Sequence, residues 1–425
     1  MKYSSSLRPY IVKRLEEIEK ADIVVGIPSF NNEKTITHVV RVVSHGLRDY
    51  YPDLRPVIIV SDGGSTDDTR DVAKELQLKP WQEKIVTIYR GTPGKGTALR
   101  TIFESSRILN ARACMVVDSD LRSITNRWVK MLLDPVVGQN FDMVAPIYTR
   151  YKYDGTITNN IVYNLSQAVF GKRIRQPIGG DFAFSGNLVH FFTEQDVWET
   201  DVARFGIDIW LTIQAIIHDF RICQAHLGRK IHDAKDPSEH LGPMFRQVVS
   251  TLFLLMEETE AFWKRISGAE EVVVFGEASP EEPEPIDVNF KKLVTSFKMG
   301  LQHFGTLWKE VFCPDCFEAI TKAASMDDDR FRLPTDTWVR ILYELAATYH
   351  QWPANRRRLV DMMTPLYYGR VASFINETRH MNSFQAESLV ERQAELFVDA
   401  KDYLVDAWDH PRQCSLSFMR AAEAL

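Results

Sequence analysis

The residues best placed by type and spacing to do chemistry are Asp118 and Asp120, on either side of Ser119 at the end of the apolar run Ala113-Cys-Met-Val-Val117. A run of that length reads as a buried strand, and its carboxyl end would deliver both carboxylates to the lip of a sheet. Such a pair suits a hard divalent cation, Mg²⁺ or Mn²⁺, which completes its shell with water and phosphate oxygens and so points to a phosphorylated substrate. Read alone, the same tripeptide is also a solvated turn that caps a helix. Lys95 stands between Gly94 and Gly96 where a helical pattern begins, and an ammonium there can meet a phosphate together with the helix's positive end. The segment lacks the spacing of a Walker loop and the strand-linked glycine fingerprint of a dinucleotide fold, which argues against an ATPase or a dehydrogenase. Asp62, followed by two glycines, reads either as a carboxylate reaching a base or ribose or as a tight turn.

The elements that must position these residues alternate. Ile23–Ile27 is a short buried-strand run, followed by the loop Pro28–Glu33 and by Ile36, Val39, Val40, Val43 and Leu47 at helical spacing. Val57–Val60, the loop Ser61–Asp67 and a short helix carrying Val72, Ala73 and Leu76 repeat the unit, and Ile85–Tyr89 supplies a third strand. Gly91–Gly96 then opens a helix with Leu99, Ile102 and Phe103 on one face, before the Asp118 strand. Units of this kind predict an α/β fold with a mostly parallel, Rossmann-like sheet whose ligands bind beyond the carboxyl ends of the strands. From Gly242 onward the pattern turns helical: Phe245, Val248, Val249, Leu252, Leu255 and Met256 recur at helical spacing. Further helices are predicted near Phe290–Phe304, Phe317–Ala324, Thr335–Tyr349, Arg356–Asn376 and Ser383–Trp408, giving domains 1–245 and 246–425. An exposed acidic loop is expected over 268–287, with Val272–Phe275 offering a short strand.

Composition sets the outer bounds. The 425 residues are 45% hydrophobic and 25% charged, an ordinary balance for a soluble chain, and a net charge of −6 offers no nucleic-acid footprint. Met1–Lys20 is polar and charged, and no window approaches the roughly 18 uninterrupted apolar residues of a membrane span, so the expectation is a cytoplasmic chain. Cys313-Pro-Asp-Cys316 has zinc or redox spacing. It has no second cysteine pair nearby and no preceding strand, and carries no metal or redox assignment on sequence alone.

Ile27-Pro-Ser-Phe-Asn-Asn-Glu33, Ser61-Asp-Gly-Gly-Ser-Thr-Asp67, Pro93-Gly-Lys-Gly96, Asp118-Ser-Asp120 and Arg175-Gln-Pro-Ile-Gly-Gly180, in that order, resemble the GT-A-fold glycosyltransferases. Gln176-Pro-Ile-Gly-Gly180 with Phe205-Gly-Ile-Asp208 and Ile231-His232 is similar to the retaining group that contains glucosyl-3-phosphoglycerate synthase and mannosylglycerate synthase. The resemblance, over roughly Ala21 to Arg246, implies a GT-A domain and a metal held by Asp120 and His232, with Asp118 beside them and nearer the ribose. Pro28, Phe30, Glu33, Asp62, Lys95, Asp118 and Ser119 would hold the nucleotide, Gly179 and Gly180 would shape the sugar pocket, and Asp208 with Lys95 would serve catalysis, Asp208 touching the acceptor hydroxyl. Retention of anomeric configuration rests on the resemblance, since a base on the opposite face would invert it.

The donor is expected to be UDP-glucose or GDP-mannose and the acceptor a small hydroxy acid, with a homo-oligomer through the helical domain as a further expectation. In phosphoglycerate users of the group, as the resemblance implies, an arginine in a Gly-Arg-x-Thr segment precedes the Gln-Pro-x-Gly-Gly motif and an asparagine stands two residues after the metal histidine. Here Thr156 and Ala234 stand at those positions. With Thr158 and a nearby arginine available for a carboxylate, that implies glycerate in preference to 3-phosphoglycerate, giving a glycosylglycerate of the compatible-solute type, although Lys152 or Arg150 could serve a phosphate. A sugar nucleotidyltransferase would carry a glycine-rich basic loop where Pro28–Glu33 stands. A processive synthase would carry membrane spans, and against a helical interaction protein with a dead transferase domain stands the complete set Lys95, Asp118, Asp120, Asp208 and His232.

Overall fold

A computed structural model describes residues 4–232 and 242–410 of the chain. Its main sheet holds β1 (Ile23–Ser29), β2 (Pro56–Asp62), β3 (Glu83–Ile88), β4 (Ala113–Val116), β5 (Met143–Thr149), β6 (Phe182–Ser185), β7 (Ile222–Arg229) and β8 (Val273–Phe275). The spatial order is β8-β7-β5-β6-β4-β1-β2-β3. Every pairing is parallel except those of β6, which runs antiparallel to both β4 and β5. The chain winds outward from β1 to β2 and β3 on one side and to β4 on the other, which makes the carboxyl ends of β1 and β4 the switch point where an open sheet receives a ligand.

All seven residues of β1 are buried, and its β-branched Ile23, Val24, Val25 and Ile27 suit a strand covered on both faces. Gly26 interrupts them for a reason: a Cβ there would lie 2.4 Å from the Ile102 side chain of the Lys95–Ile108 helix. Pro28, expected in the loop, is instead inside β1. It costs the sheet no ladder bond, because alternate residues face alternate neighbours. Gly26 O accepts from Val117 N at 3.1 Å on the β4 side and Ser29 O from Gly63 N at 2.8 Å on the β2 side, so Pro28 faces β4 where that strand has already ended. Val39, Val40, Val43 and Leu47 of the Ile36–Tyr50 helix and Trp128, Val129, Leu132 and Leu133 of the Asn126–Gln139 helix pack on Val25, Ile27, Ile58, Val60 and Met115. Each such side chain contributes about 1.5–3 kcal/mol by leaving water.

The compact units do not follow the predicted division at residue 245. The sheet unit takes the described parts of Met1–Arg150, Ile174–Ala234 and Glu271–Pro283; the helical unit takes those of Tyr151–Arg173, Lys235–Glu270 and Glu284–Leu425. Residues 151–173 belong with the helices because the Thr158–Val162 turn and the Tyr163–Phe170 helix are buried throughout and bonded into that unit. Asn160 O accepts from Trp338 Nε1 at 2.7 Å, and Asn159 O from Gln393 Nε2 at 2.9 Å. The strand within the acidic loop is real. Val273–Phe275 pairs in parallel with Cys223–Ala225, while Glu281 meets Arg229 at 2.9 Å.

Besides Tyr163–Phe170 and the single turn Glu260–Trp263, the helical unit holds the helices Gly242–Glu258, Phe290–Val311, Pro314–Ser325, Thr335–Gln351, Arg356–Thr378, Ser383–Asp399 and Lys401–Asp409. The single helix expected over Ser383–Trp408 is thus two, parted at Ala400. Lys401 is buried there, its ammonium donating to Trp263 O at 2.6 Å, which a continuous solvated helix face would not require. Trp308, Trp338 and Tyr367 are buried and belong to the core rather than to a dimer face. Among the described residues, no helix is long and apolar enough to cross a membrane.

Candidate active site

The glycines around Lys95 serve a neighbouring backbone. A Cβ on Gly96 would lie 1.8 Å from Val202 O and one on Gly94 2.5 Å from Ala203 O, and Gly96 N donates to Arg204 O at 3.1 Å. The chain from Val202 to Arg204 therefore lies directly on the helix start. Close backbone approach, more than a phosphate cradle, is what these glycines permit. That chain leads into the Ile207–Ile217 helix, whose second residue is Asp208, and it brings Asp208 Oδ2 to 3.0 Å from Lys95 Nζ. Lys95 Nζ also stands 3.0 Å from Asp118 Oδ1.

Asp118 is held from its other side by a residue that sequence reasoning missed. Lys230 Nζ lies 2.9 Å from Asp118 Oδ2, 2.8 Å from Asp181 Oδ2 and 2.8 Å from Gly179 O. Asp181 in turn accepts from Asp118 N at 2.8 Å and bonds the Tyr148 hydroxyl. Gly180, at φ +89°, admits this arrangement because a Cβ would sit 2.2 Å from Asp118 Oδ2. The sequence signals for both are thin: Asp181 follows the Gly-Gly pair, and Lys230 precedes His232 by two residues.

Two ammonium groups and three carboxylates thus meet in a buried cluster. Burial opposes the charge on Asp118, but Lys230 and Lys95 outweigh it and hold the carboxyl far below its ordinary range. Burial likewise opposes the charge on Lys95, and Asp118 with Asp208 overcomes it, so the ammonium is retained. Asp208 goes the other way. Burial raises its pKa more than Lys95 lowers it, and Asp118 adds repulsion. Among the described residues its buried Oδ1 finds no hydrogen-bond partner, and the same holds for Gln176 Oε1. Thr212 Oγ1 donates to Pro177 O at 2.8 Å, tying the Asp208 helix to the Gln176 segment. A buried acceptor without a donor is costly unless a ligand supplies one.

On the nucleotide side the structure separates the predicted residues. Phe30 is 59% exposed at the carboxyl edge and offers a flat apolar face on which a base can stack. Asp62 is fully buried: Oδ1 accepts from Gly64 N and Ser65 N, each at 2.8 Å, and Oδ2 from Ser29 Oγ at 2.9 Å and Ser65 Oγ at 2.6 Å. That is the tight-turn alternative, so Asp62 builds the loop. Ser119 donates to Asn32 Oδ1 at 2.7 Å and its carbonyl accepts from Thr35 Oγ1 at 2.8 Å, joining two loops instead of facing a ligand. Glu33 Oε2 accepts from Asp68 N at 3.2 Å on the exposed rim. Pro28 is enclosed in β1 and shapes the loop only from beneath.

Asp120 and His232 are brought together by the backbone. Leu121 forms an antiparallel bridge with His232, and Arg122 N donates to Ile231 O at 2.9 Å, which sets the histidine beside the Asp120 turn. One carboxylate and one imidazole are too few to enclose an ion and fit a hard cation that keeps positions for water and phosphate. Asp118, expected to stand by as a ligand, has both oxygens in ion pairs with lysines, and its donor atoms do not converge with those of Asp120 and His232 within 4.8 Å.

Thr156 and Thr158 are buried in the helical unit, where the Thr156 hydroxyl bonds the Tyr367 hydroxyl at 2.6 Å. Lys152 is also committed there, donating to Thr378 O at 2.8 Å and Met381 O at 2.6 Å. Ala234 lies outside the described residues. Arg150 remains in the sheet unit, its guanidinium 4.9 Å from the centre of the Tyr148 ring.

Residues 24–193 match the family model described as glycosyl transferase family 2. A glucosyl-3-phosphoglycerate synthase of Petrotoga mobilis is 28% identical over 168 residues, which is 39% of this chain and 46% of the relative. The chain thus matches about half the length of that curated relative. Among solved structures, a glucosyl-3-phosphoglycerate synthase from Mycobacterium tuberculosis in complex with Mn²⁺, UDP and glucosyl-3-phosphoglycerate is 25% identical, with a TM-score of 0.43, over 59% of this chain and 85% of that one. The same enzyme in complex with Mn²⁺, UDP-glucose and phosphoglyceric acid is 26% identical, with a TM-score of 0.43, over 59% and 86% of the two chains.

Proposed function

We propose that this chain, with a family 2 glycosyl transferase domain over residues 24–193, is a metal-dependent enzyme that moves glucose from a nucleoside diphosphate to a small hydroxy acid. The observation that carries the reading is Asp208: a buried carboxylate, tied by one oxygen to Lys95, which also pairs with Asp118, while its other oxygen finds no donor among the described residues. An acceptor hydroxyl donating to Oδ1 would satisfy it and be aimed by it.

A divalent cation at Asp120 and His232 would neutralise charge developing on the departing diphosphate. Lys95, anchored by Asp118 and Asp208, keeps a second positive charge at the helix start for the same phosphates. Asp208 orients the acceptor oxygen, and in the retaining course its proton passes to a departing phosphate oxygen. Lys230 holds Asp118 and Asp181 in place from below. The exposed face of Phe30 receives the base.

The name of the Petrotoga relative supports a glucosyl donor, and with it UDP-glucose over GDP-mannose. For the acceptor, glycerate is the preferred reading, since Thr156 replaces an arginine and both it and Lys152 are already bonded within the helical unit. Arg150 can meet the glycerate carboxylate. The same relative's name favours a second reading, 3-phosphoglycerate. Purified chain supplied with Mn²⁺, UDP-glucose or GDP-mannose, and each acid in parallel decides between them. The expected result is a higher kcat/KM for UDP-glucose with glycerate; a higher value with 3-phosphoglycerate selects the second reading, and no transfer to either acid overturns both.

A further inference from the structure

Cys313-Pro-Asp-Cys316 supplies two thiols three residues apart, and the fold adds a third ligand from another helix. The Sγ atoms of Cys313 and Cys316 and a carboxylate oxygen of Glu344 lie within 4.8 Å of one another, and all three residues are buried. Cys313 caps the Pro314–Ser325 helix, its Sγ accepting from Cys316 N at 3.3 Å. Glu344 comes from the Thr335–Gln351 helix. We propose that Cys313, Cys316 and Glu344 form a zinc site in the helical unit, distinct from the cation site proposed at Asp120 and His232.

Three features favour an ion there. Tetrahedral zinc, with bonds of about 2.3 Å to sulfur and about 2.0 Å to oxygen, sets its ligand atoms roughly 3.5–4 Å apart, inside the observed spacing. Charge balances in the buried cluster: two thiolates and a carboxylate face a dication and the Arg340 guanidinium, whose Nη2 lies 3.3 Å from Cys313 Sγ. The outer partners that orient zinc ligands are also present. Cys313 N donates to Glu344 Oε2 at 2.9 Å, and the Tyr403 hydroxyl bonds Glu344 Oε1. Thiolates select zinc over the hard cation suited to a carboxylate and an imidazole with phosphate. Among the described residues no further histidine, cysteine or carboxylate joins the group, so water closes the tetrahedron. Binding releases two thiol protons and clamps the start of one helix to the middle of another.

Cobalt is the probe, because a thiolate-to-cobalt charge-transfer band reports only a sulfur site. Full-length chain, reduced and stripped of metal, is titrated with Co²⁺ and then with Zn²⁺, and its zinc content as purified is measured independently. The expectation is one thiolate-bound cobalt per chain, displaced by zinc, with the band unchanged in His232→Ala. Cys316→Ser, with its circular dichroism checked, should weaken binding beyond the roughly 10–100-fold that follows loss of an outer partner. Absence of the band, parental cobalt affinity in Cys316→Ser, or a Cys313–Cys316 disulfide with no zinc in the isolated chain would each overturn the site.

Discussion

Asp208 is asked to stay buried and stay ionised, and its environment grants only the first fully. Because the folded carboxyl has a raised pKa, its charge opposes folding at pH values above that pKa, and the penalty fades as pH falls through it. Asp208→Asn should therefore match or exceed the parent in thermal stability at neutral pH while kcat falls by about 100-fold or more and nucleotide affinity holds. A parallel loss of nucleotide binding in calorimetry would remove it from the acceptor side. Asp118 has the opposite sign: its stabilisation is present above the ordinary carboxyl range and is lost only as strong acid protonates the folded form. Lys230→Met leaves Asp118 and the fully buried Asp181 facing each other without their cation. Urea unfolding should show a loss of about 3–5 kcal/mol, partly restored by adding Asp181→Asn; an unchanged midpoint would mean that the ammonium does not hold the cluster together.

At the scale of elements, glycines decide how near one segment can come to another. Gly96→Ala has to move the backbone at Val202, 1.8 Å from the new methyl, and with it the start of the Asp208 helix. Turnover should fall as it does for Asp208→Asn although no reacting group is altered, and a variant with parental kcat would show that the Lys95–Asp208 contact does not depend on this approach. Gly138 is the useful contrast. It lies exposed near the end of the Asn126–Gln139 helix, and a methyl added there would meet nothing within 4 Å, so Gly138→Ala should raise stability by about 0.4–1 kcal/mol and leave kinetics alone. The lone antiparallel strand β6 matters for the same positional reason: its chain enters through Gly179-Gly180-Asp181 and so carries Asp181 to Asp118 and Lys230.

For the whole molecule, two units built from interleaved stretches of chain forbid a simple cut. A fragment ending at residue 245 keeps 151–173 but loses the Trp338 and Gln393 side chains that bond Asn160 and Asn159. It also loses β8 from the sheet edge. The fragment should express as an insoluble or partly unfolded chain by circular dichroism, and a soluble, cooperatively unfolding fragment would show that the helices are dispensable to the sheet unit.

The alternation of strands, loops and helices from Ile23 to the Asp118 strand, the carboxyl-edge position of Asp118 and the helical character of the later chain were all legible in sequence. Continuous apolar runs and helical spacing record burial, and burial is a local signature. What sequence could not record is which polar group a side chain finds. Asp62 and Ser119 carry the same chemistry whether they face a nucleotide or their own loops, and only the folded chain shows them turned inward. Lys230 and Asp181 have no motif of their own, and Glu344 joins Cys313 and Cys316 from a different helix. Lys95 and Asp208 stand 113 residues apart and meet because Gly94 and Gly96 let the chain from Val202 to Arg204 lie against the helix start. Partners of that separation are chosen by packing, and packing exists only in the tertiary structure.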